Sequence, residues 1–459
     1  MAIRLACWEP ENAIFWQKQG RRIASRNLVL STCSLHLNFN IWMMWSMVVV
    51  NLPAIGFSLT EQQAFLLVAI PGLVGALMRL LYAFAWTWIG GGSWMGISTL
   101  FLLLPALGVA HVVQDVSTPF PMLLAVAACC GIGCGASASH LANINFFYPK
   151  SSKGFAMGIN AGLGNLGVSV AQLLVAVLIS VKIWGLSDCK PQCLGKCTAM
   201  HTIWLQNAGY FFVPLIVVVA LACLLFSHDL PRLKLTPRDQ VASLKHAHTW
   251  YISLPYLSSY GTFLGFSAAF PLLAHVMFPQ SHSMEYAFVG PMVCALSRPL
   301  GGWLGDRFGA GITTVVSNAA MGLGTLGLIV CLPGANGQGS FWLFFALFQW
   351  IFMAAGIGNG SSYQLGPKVF MLKAAQDAQT GGCPPEDAYA RGGREGALAM
   401  SFSAVFAALG GFFIPKSFGT SLILFNSFVP GFVMFFCFYL VSSLVVWQQY
   451  GRPGSPMRC

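Results

Sequence analysis

Apolar stretches of about twenty residues recur from one end of this 459-residue chain to the other, with short polar joints between them. Such a length is what one helix needs to cross a bilayer. Only 8% of the residues are charged and 56% are hydrophobic, whereas a soluble domain is roughly a quarter charged. A water-soluble globule is therefore excluded, and no stretch is left over for a soluble domain. The first apolar run, 28–50, is longer than the core of a cleaved signal and reads as the first span.

Twelve transmembrane helices are expected, at about 28–50, 62–85, 94–113, 119–146, 153–182, 203–226, 250–277, 284–304, 312–332, 341–370, 397–424 and 426–447. The net charge of +11 raises the question of a nucleic-acid partner, and the positions of the basic residues answer it. Of the 24 Lys and Arg, only Lys182, Lys190, Lys196 and Lys416 fall on one side of the membrane. Arg79 and Arg298 lie within spans, and all the others fall on the opposite side. Basic residues accumulate on the cytoplasmic face, so both termini are expected in the cytoplasm of a plasma membrane. The charge is then topology, with lipid as the partner and no nucleic acid. Cys189, Cys193 and Cys197 cluster in the joint after the fifth span. Their spacing suits a disulfide in an oxidising compartment better than a metal site, which lacks His or acidic partners there.

Three segments of the first half return in the second, in the same order. Ala76-Leu77-Met78-Arg79 matches Ala295-Leu296-Ser297-Arg298, and Gly90 and Gly309 each follow eleven residues after the arginine. Gly131 to Ser137 matches Gly356 to Ser362, and Asn165-Leu166-Gly167 is paired with Ala408-Leu409-Gly410. Six spans separate the copies, so the repeat is parallel about an axis along the membrane normal. The expected organisation is a cytoplasmic segment 1–27, a six-helix bundle 28–226, a linker 227–249, a second bundle 250–447 and a tail 448–459. Small residues let helices approach closely in lipid, which assigns Gly162, Gly164 and Gly167 of the fifth span, and Gly358 and Gly360 of the tenth, to helix packing and gating.

A guanidinium in the middle of a span costs at least about 2.5 to 3.5 kcal/mol to insert. Each of Arg79 and Arg298 can offset this by snorkelling to the membrane surface or by binding an anion. The repeat favours the anion, because it brings both arginines to one axis while no Asp or Glu lies in a span interior. The planar fork of arginine matches a trigonal oxyanion such as nitrate or nitrite. Tyr256 and Tyr260 in the seventh span offer faces for a flat anion.

The chain resembles the nitrate/nitrite porters of the major facilitator superfamily. The resemblance rests on Trp8-Glu9-Pro10-Glu11, on Ile23-Ala24-Ser25-Arg26-Asn27-Leu28 and on Val50-Asn51-Leu52-Pro53. Ala142-Asn143-Ile144 and Phe146-Phe147-Tyr148-Pro149-Lys150 extend it. Its most specific element is Asn160-Ala161-Gly162-Leu163-Gly164-Asn165-Leu166-Gly167, similar to the nitrate signature of that family. Gly302 to Gly309, with Asp306 and Arg307, is similar to the superfamily's gating loop. The resemblance implies an all-α, two-bundle carrier working by alternating access, without a cofactor and without catalytic residues. It also implies Arg79, Arg298, Asn165, Tyr256 and Tyr260 as substrate-binding residues. Ser137 stands where the family pattern has Phe, which leaves the ring on the seventh span without its partner on the fourth. Ala408 stands where the eleventh-span copy would repeat Asn165, and Ser403 is a candidate polar contact nearby.

A lone anion entering a cell with a negative interior works against about 2.3 kcal/mol per 100 mV, so transport needs coupling. Nitrate exchanged for nitrite moves no net charge and needs no protonatable group. Closing an empty pair of arginines would bury like charges, which favours exchange. Proton symport would call on a span histidine such as His36 or His140, and a non-transporting anion sensor would keep the site without the movement. An intramembrane enzyme would need an acidic pair, a nucleophile with its base or a zinc motif, and none is evident.

Overall fold

The computed structural model describes residues 2–182, 191–193, 202–231, 244–281, 283–332, 339–379, 385–455, 457 and 459. The apolar runs form the helices that their length predicts. They are α1 (Arg21–Asn51), α2 (Glu61–Ile89), α3 (Gly91–Val112), α4 (Phe120–Phe147), α5 (Lys150–Leu178), α6 (Asn207–Phe226), α7 (Ala247–Met277), α8 (Val289–Phe308), α9 (Ala310–Cys331), α10 (Phe341–Gln379), α11 (Arg391–Phe425) and α12 (Val429–Gly451). Among the described residues eleven helices are long and apolar enough to span a membrane. The remaining one, α8, carries Arg298, Asp306 and Arg307, which lower its mean hydropathy. Among the described residues, only two-residue strands accompany the helices: β1 (Ile3–Arg4), β2 (Gln192–Cys193), β3 (Thr202–Ile203) and β4 (His228–Asp229).

The chain divides into two compact units, one of Met1–Lys234 with Ser267–Pro291 and the other of Leu235–Phe266 with Met292–Cys459. The outer portion of α7 and the turn that follows it thus belong with the first unit, whereas a seam at 227–249 would leave them with the second. The physical reason lies in two hydrogen bonds from α5. Gln172 Nε2 donates to the Ser267 carbonyl at 2.7 Å, and Ser169 Oγ donates to the Phe288 carbonyl at 2.6 Å. Residues 232–243 of the expected linker, and Cys189 and Cys197 of the cysteine cluster, lie outside the described residues.

Glycine sets the spacing of the helices inside each unit. In the first, a Cβ on Gly131 would lie 2.4 Å from the Pro71 carbonyl oxygen, and one on Gly135 would lie 2.5 Å from Met78 Cβ, so α4 rides directly on α2. In the second, a Cβ on Gly356 would lie 2.3 Å from the Cys294 carbonyl oxygen and one on Gly360 2.2 Å from that of Arg298, so α10 rides on α8. On α5, Gly164 faces Leu35 and Gly167 faces the His36 carbonyl of α1. Gly162 departs from the packing expected of it, since nothing lies within 4 Å of the position its Cβ would take.

The repeat extends to the backbone. Gly90 and Gly309 both adopt left-handed φ values, 112° and 95°, at the turns that start α3 and α9. A side chain there would be strained. Buried polar bonds then tie each unit across its helices. Ser34 bridges to His140 at 2.8 Å in the first, while Ser258 donates to Asn318 and Asn318 to Ser442 in the second. Each such bond inside a membrane contributes on the order of 0.6 kcal/mol.

The packing makes a direct test possible. Gly131→Leu should destabilise the protein by about 1–3 kcal/mol through overpacking, and Gly162→Ala should leave stability unchanged or slightly raised. Equilibrium unfolding of both variants in detergent measures the difference, and a Gly131→Leu protein as stable as the wild type would contradict the close α2–α4 contact.

Candidate functional site

In the first unit, the close approach of α4 to α2 allows Arg79 to be buried. Its residue is only 1% exposed, although a lipid-spanning chain offers few acceptors for five guanidinium N–H groups. Part of that demand is met on α4, where Nε donates to the Cys134 carbonyl at 3.3 Å and Nη2 to Cys134 Sγ at 3.4 Å. The glycines beside Cys134 bring that backbone within reach. Arg79 is therefore held by the interior of its own unit, which excludes snorkelling.

Asn165 on α5 is buried, and its amide makes no hydrogen bond with a described residue. Its neighbour in the signature, Asn160, is occupied differently: it donates to Ser31 and accepts from Thr32 of α1. Asn160 thus fixes α5 to α1, while Asn165 keeps its donor available. Ser137 turns back on its own helix, donating to the Cys134 carbonyl at 3.1 Å.

In the second unit, Pro255 lacks the N–H that an α-helix would use, and α7 widens into a π-helical turn over Leu257–Gly261. Such turns realign side chains and recur at functional sites. Here Tyr256 and Tyr260 stack, their ring centroids 5.4 Å apart and their planes 14° from parallel. Tyr256 also meets Tyr363 of α10 at 6.0 Å. The Arg298 guanidinium lies over the Tyr363 ring, 5.5 Å from its centroid, a favourable position for a cation on an aromatic face. Among the described residues Arg298 has no carboxylate partner.

The structure thus joins Arg298, Tyr256 and Tyr260 in one cluster and adds Tyr363, which the sequence reading did not single out. Its signal was present, since Tyr363 directly follows the repeated segment ending at Ser362. Ser403 does not join the cluster, because its hydroxyl is taken by Ser253 at 2.9 Å and by the Ala399 carbonyl. His140 is likewise occupied, by Ser34 and the Ala136 carbonyl, and His36 bonds the Leu163 carbonyl. At the end of α8, Asp306 pairs with Lys368 of α10 at 3.0 Å, and Arg307 lies over the Trp303 and Phe308 rings. The Asp306–Lys368 pair is largely exposed, so its contribution to stability is small.

Comparisons with known proteins bear on the family and the fold. The family model described as Major Facilitator Superfamily matches residues 36–380. The chain is 40% identical over 450 residues to the nitrate/nitrite transporter NarU of Salmonella typhimurium, covering 98% of this chain and 96% of that protein. It is 32% identical to the probable nitrate/nitrite antiporter NarK2 of Thermus thermophilus, over 98% and 97% of the two chains. Among solved structures, a bacterial homologue of the human lysosomal transporter Spinster superposes with a TM-score of 0.61 at 18% identity, covering 93% of this chain and 96% of that one. The last match speaks for the fold alone, whereas the family model and the two near-full-length relatives place this multi-pass membrane protein in the nitrate/nitrite porter family of the major facilitator superfamily.

Proposed function

We propose that the chain carries nitrate into the cell in exchange for nitrite, by alternating access of its two halves, with both termini on the cytoplasmic face of the plasma membrane. The observation that carries the substrate class is an arginine at the same repeat position in each half, Arg79 and Arg298. The first is buried against the Cys134 carbonyl, and the second rests on an aromatic face with no described carboxylate partner. Near-full-length identity to a protein named as a nitrate/nitrite transporter supports the choice among trigonal anions.

In this reading Arg79 and Arg298 supply the charge and the planar donor forks. Asn165 adds an amide donor, and the Tyr256–Tyr260–Tyr363 cluster supplies flat faces and a hydroxyl edge. Arginine over lysine matters because the fork orients a planar oxyanion in its own plane, whereas an ammonium is a point charge. Gly164 and Gly167 let α5 slide on α1, Gly360 and the Asp306–Lys368 pair hold α8 to α10, and Gly358 seats α10 against Ser317 of α9 and Ser259 of α7, while Arg307 stays on the rings of its own helix.

Exchange rather than proton symport is supported by the hydrogen-bonded state of His140 and His36. His140 has both ring nitrogens engaged, by Ser34 and by the Ala136 carbonyl. A proton relay would have to break that pair of bonds at every turnover. With no carboxylate in a span interior, the acidic residues standing at helix ends and in loops, return of the empty carrier buries guanidinium charge without a counter-ion, and it should be slow.

Two measurements in proteoliposomes test this. Arg79→Lys and Arg298→Lys should each lower nitrate counterflow at least about a hundredfold, the loss of one bidentate charge-assisted contact at about 3 kcal/mol, while the protein still inserts. Near-normal counterflow in both would remove the arginine pair from the site. In the second, vesicles preloaded with nitrite should take up external nitrate rapidly, and vesicles preloaded with an inert anion should take it up slowly with or without an inward proton gradient. Uptake driven by acid into nitrite-free vesicles, and lost on removing His36 or His140, would establish symport instead.

A further inference from the structure

The segment before the first span is docked rather than loose. β1 pairs in parallel with β4, which follows directly after α6, with Ile3 opposite His228 and Arg4 opposite Asp229. Backbone bonds Ile3 N–H to the Ser227 carbonyl (3.0 Å) and Leu5 N–H to the Asp229 carbonyl (2.9 Å) close the ladder. Beyond it, Trp8 Nε1 donates to the Phe146 carbonyl at the end of α4, and its ring meets Phe147 at 5.3 Å. Asp229 itself caps α3, its carboxylate accepting from the backbone of Gly92 and Ser93 at 2.7 and 3.0 Å. The arm therefore braces the ends of α1, α3, α4 and α6 through one two-residue strand.

Among the described residues, the hydrogen bonds between β4 and α1 run through His228. Its backbone N–H donates to Asn27 Oδ1 at 2.9 Å, and Arg26 Nη2 lies 3.0 Å from its Nε2. The same Nη2 also lies 3.4 Å from Nδ1; arginine is a donor only, so the contact calls for a lone pair on the ring, which the neutral imidazole has and the protonated ring lacks. Asn27 Nδ2, also a donor, is 3.4 Å from Nδ1 and is committed to the Ile23 carbonyl at 2.8 Å. A protonated ring would point a donor at Arg26 and place two cations together. Arg26 Nε is buried with no hydrogen-bond partner among the described residues, so a second cation beside the guanidinium would go uncompensated there. The other charged groups on the packed elements are Arg21 and Arg22 at the start of α1, Asp229 on the same strand and Arg4 on β1. Asp229 is committed to the start of α3.

We propose that His228 is a proton-sensitive latch: neutral, its ring holds β4 and the docked N-terminal arm on Arg26; protonated, it gives up that contact, leaves the backbone bond to Asn27 as the remaining tie, and slows transport. Burial, and then the Arg26 charge, keep its imidazole below the ordinary value of 6.5, against a smaller upward pull from Asp229. A group with a depressed value in the docked state stabilises docking fully above 6.5 and less as pH falls through that value. This is regulation by protons, not transport driven by them, and only its effect on transport rests on the proposed function.

Hydrogen–deuterium exchange of residues 2–12 in the full-length protein tests the latch without reference to transport. After correction for intrinsic rates, protection should be high at pH 7.5 and fall between 6.5 and 5.5 by up to about tenfold per pH unit, the limit for one titrating group. His228→Gln, which offers an amide oxygen to Arg26 at any pH, should keep the arm protected at pH 5.5. Arg26→Met, with the histidine retained, should lessen the pH dependence, leaving the part that burial of the ring supplies. Wild-type protection that does not change with pH, or that falls identically in both variants, would overturn the latch. Nitrate counterflow measured across the same pH range should slow in the wild type and not in His228→Gln; a transport failure with the exchange result intact would count against the carrier reading and not against the latch.

Discussion

The burial of a guanidinium in a chain built for lipid is the constraint on which the rest of the first unit turns. Arg79 can be 1% exposed only because α4 presents a carbonyl to it, and α4 can do so only because Gly131 and Gly135 leave no side chain between the two backbones. The glycine pattern and the span arginine are thus one device. The second unit repeats the backbone half of it, with Gly356 and Gly360 against α8. It replaces the carbonyl by an aromatic face, Tyr363 under Arg298.

That difference between the repeats bears on what each half contributes to substrate. A guanidinium bonded to a carbonyl has part of its donor set spent, and its charge is set in a fixed place. One resting on a ring keeps its N–H groups for another acceptor. The proposed anion site therefore pairs a more fixed cation with a more adaptable one. Asn160 and Ser403, polar and close in sequence to the candidates, are instead committed to holding helices together.

Much of the fold was legible because a bilayer permits few solutions. Span length, the charge asymmetry and the spacing of glycine after arginine all follow from local sequence, and the observed helices occur where the apolar runs stand. α8 was legible from the repeat even though its charges keep it from reading as an apolar span. The site was legible only in part. Tyr363 was missed because its value depends on a ring meeting Arg298 and Tyr256 from a different helix. Gly162 was taken as a packing residue because it shares a motif with Gly164 and Gly167, and a motif cannot say which face of a helix meets a neighbour.

The sequence by itself determined the number and placement of the helices, the parallel repeat and the arginine in each half, because these depend on hydrophobic length, charge and periodicity along one chain. Only the tertiary structure decided which donors are already spent and which stay available. It also decided where the α7 backbone widens after Pro255 to stack two tyrosines, and that the N-terminal segment is clamped beside α6 by His228. These are matters of distance between residues remote in sequence. A hydrogen bond changes from satisfied to unmet within about an ångström, a resolution that composition and spacing do not carry.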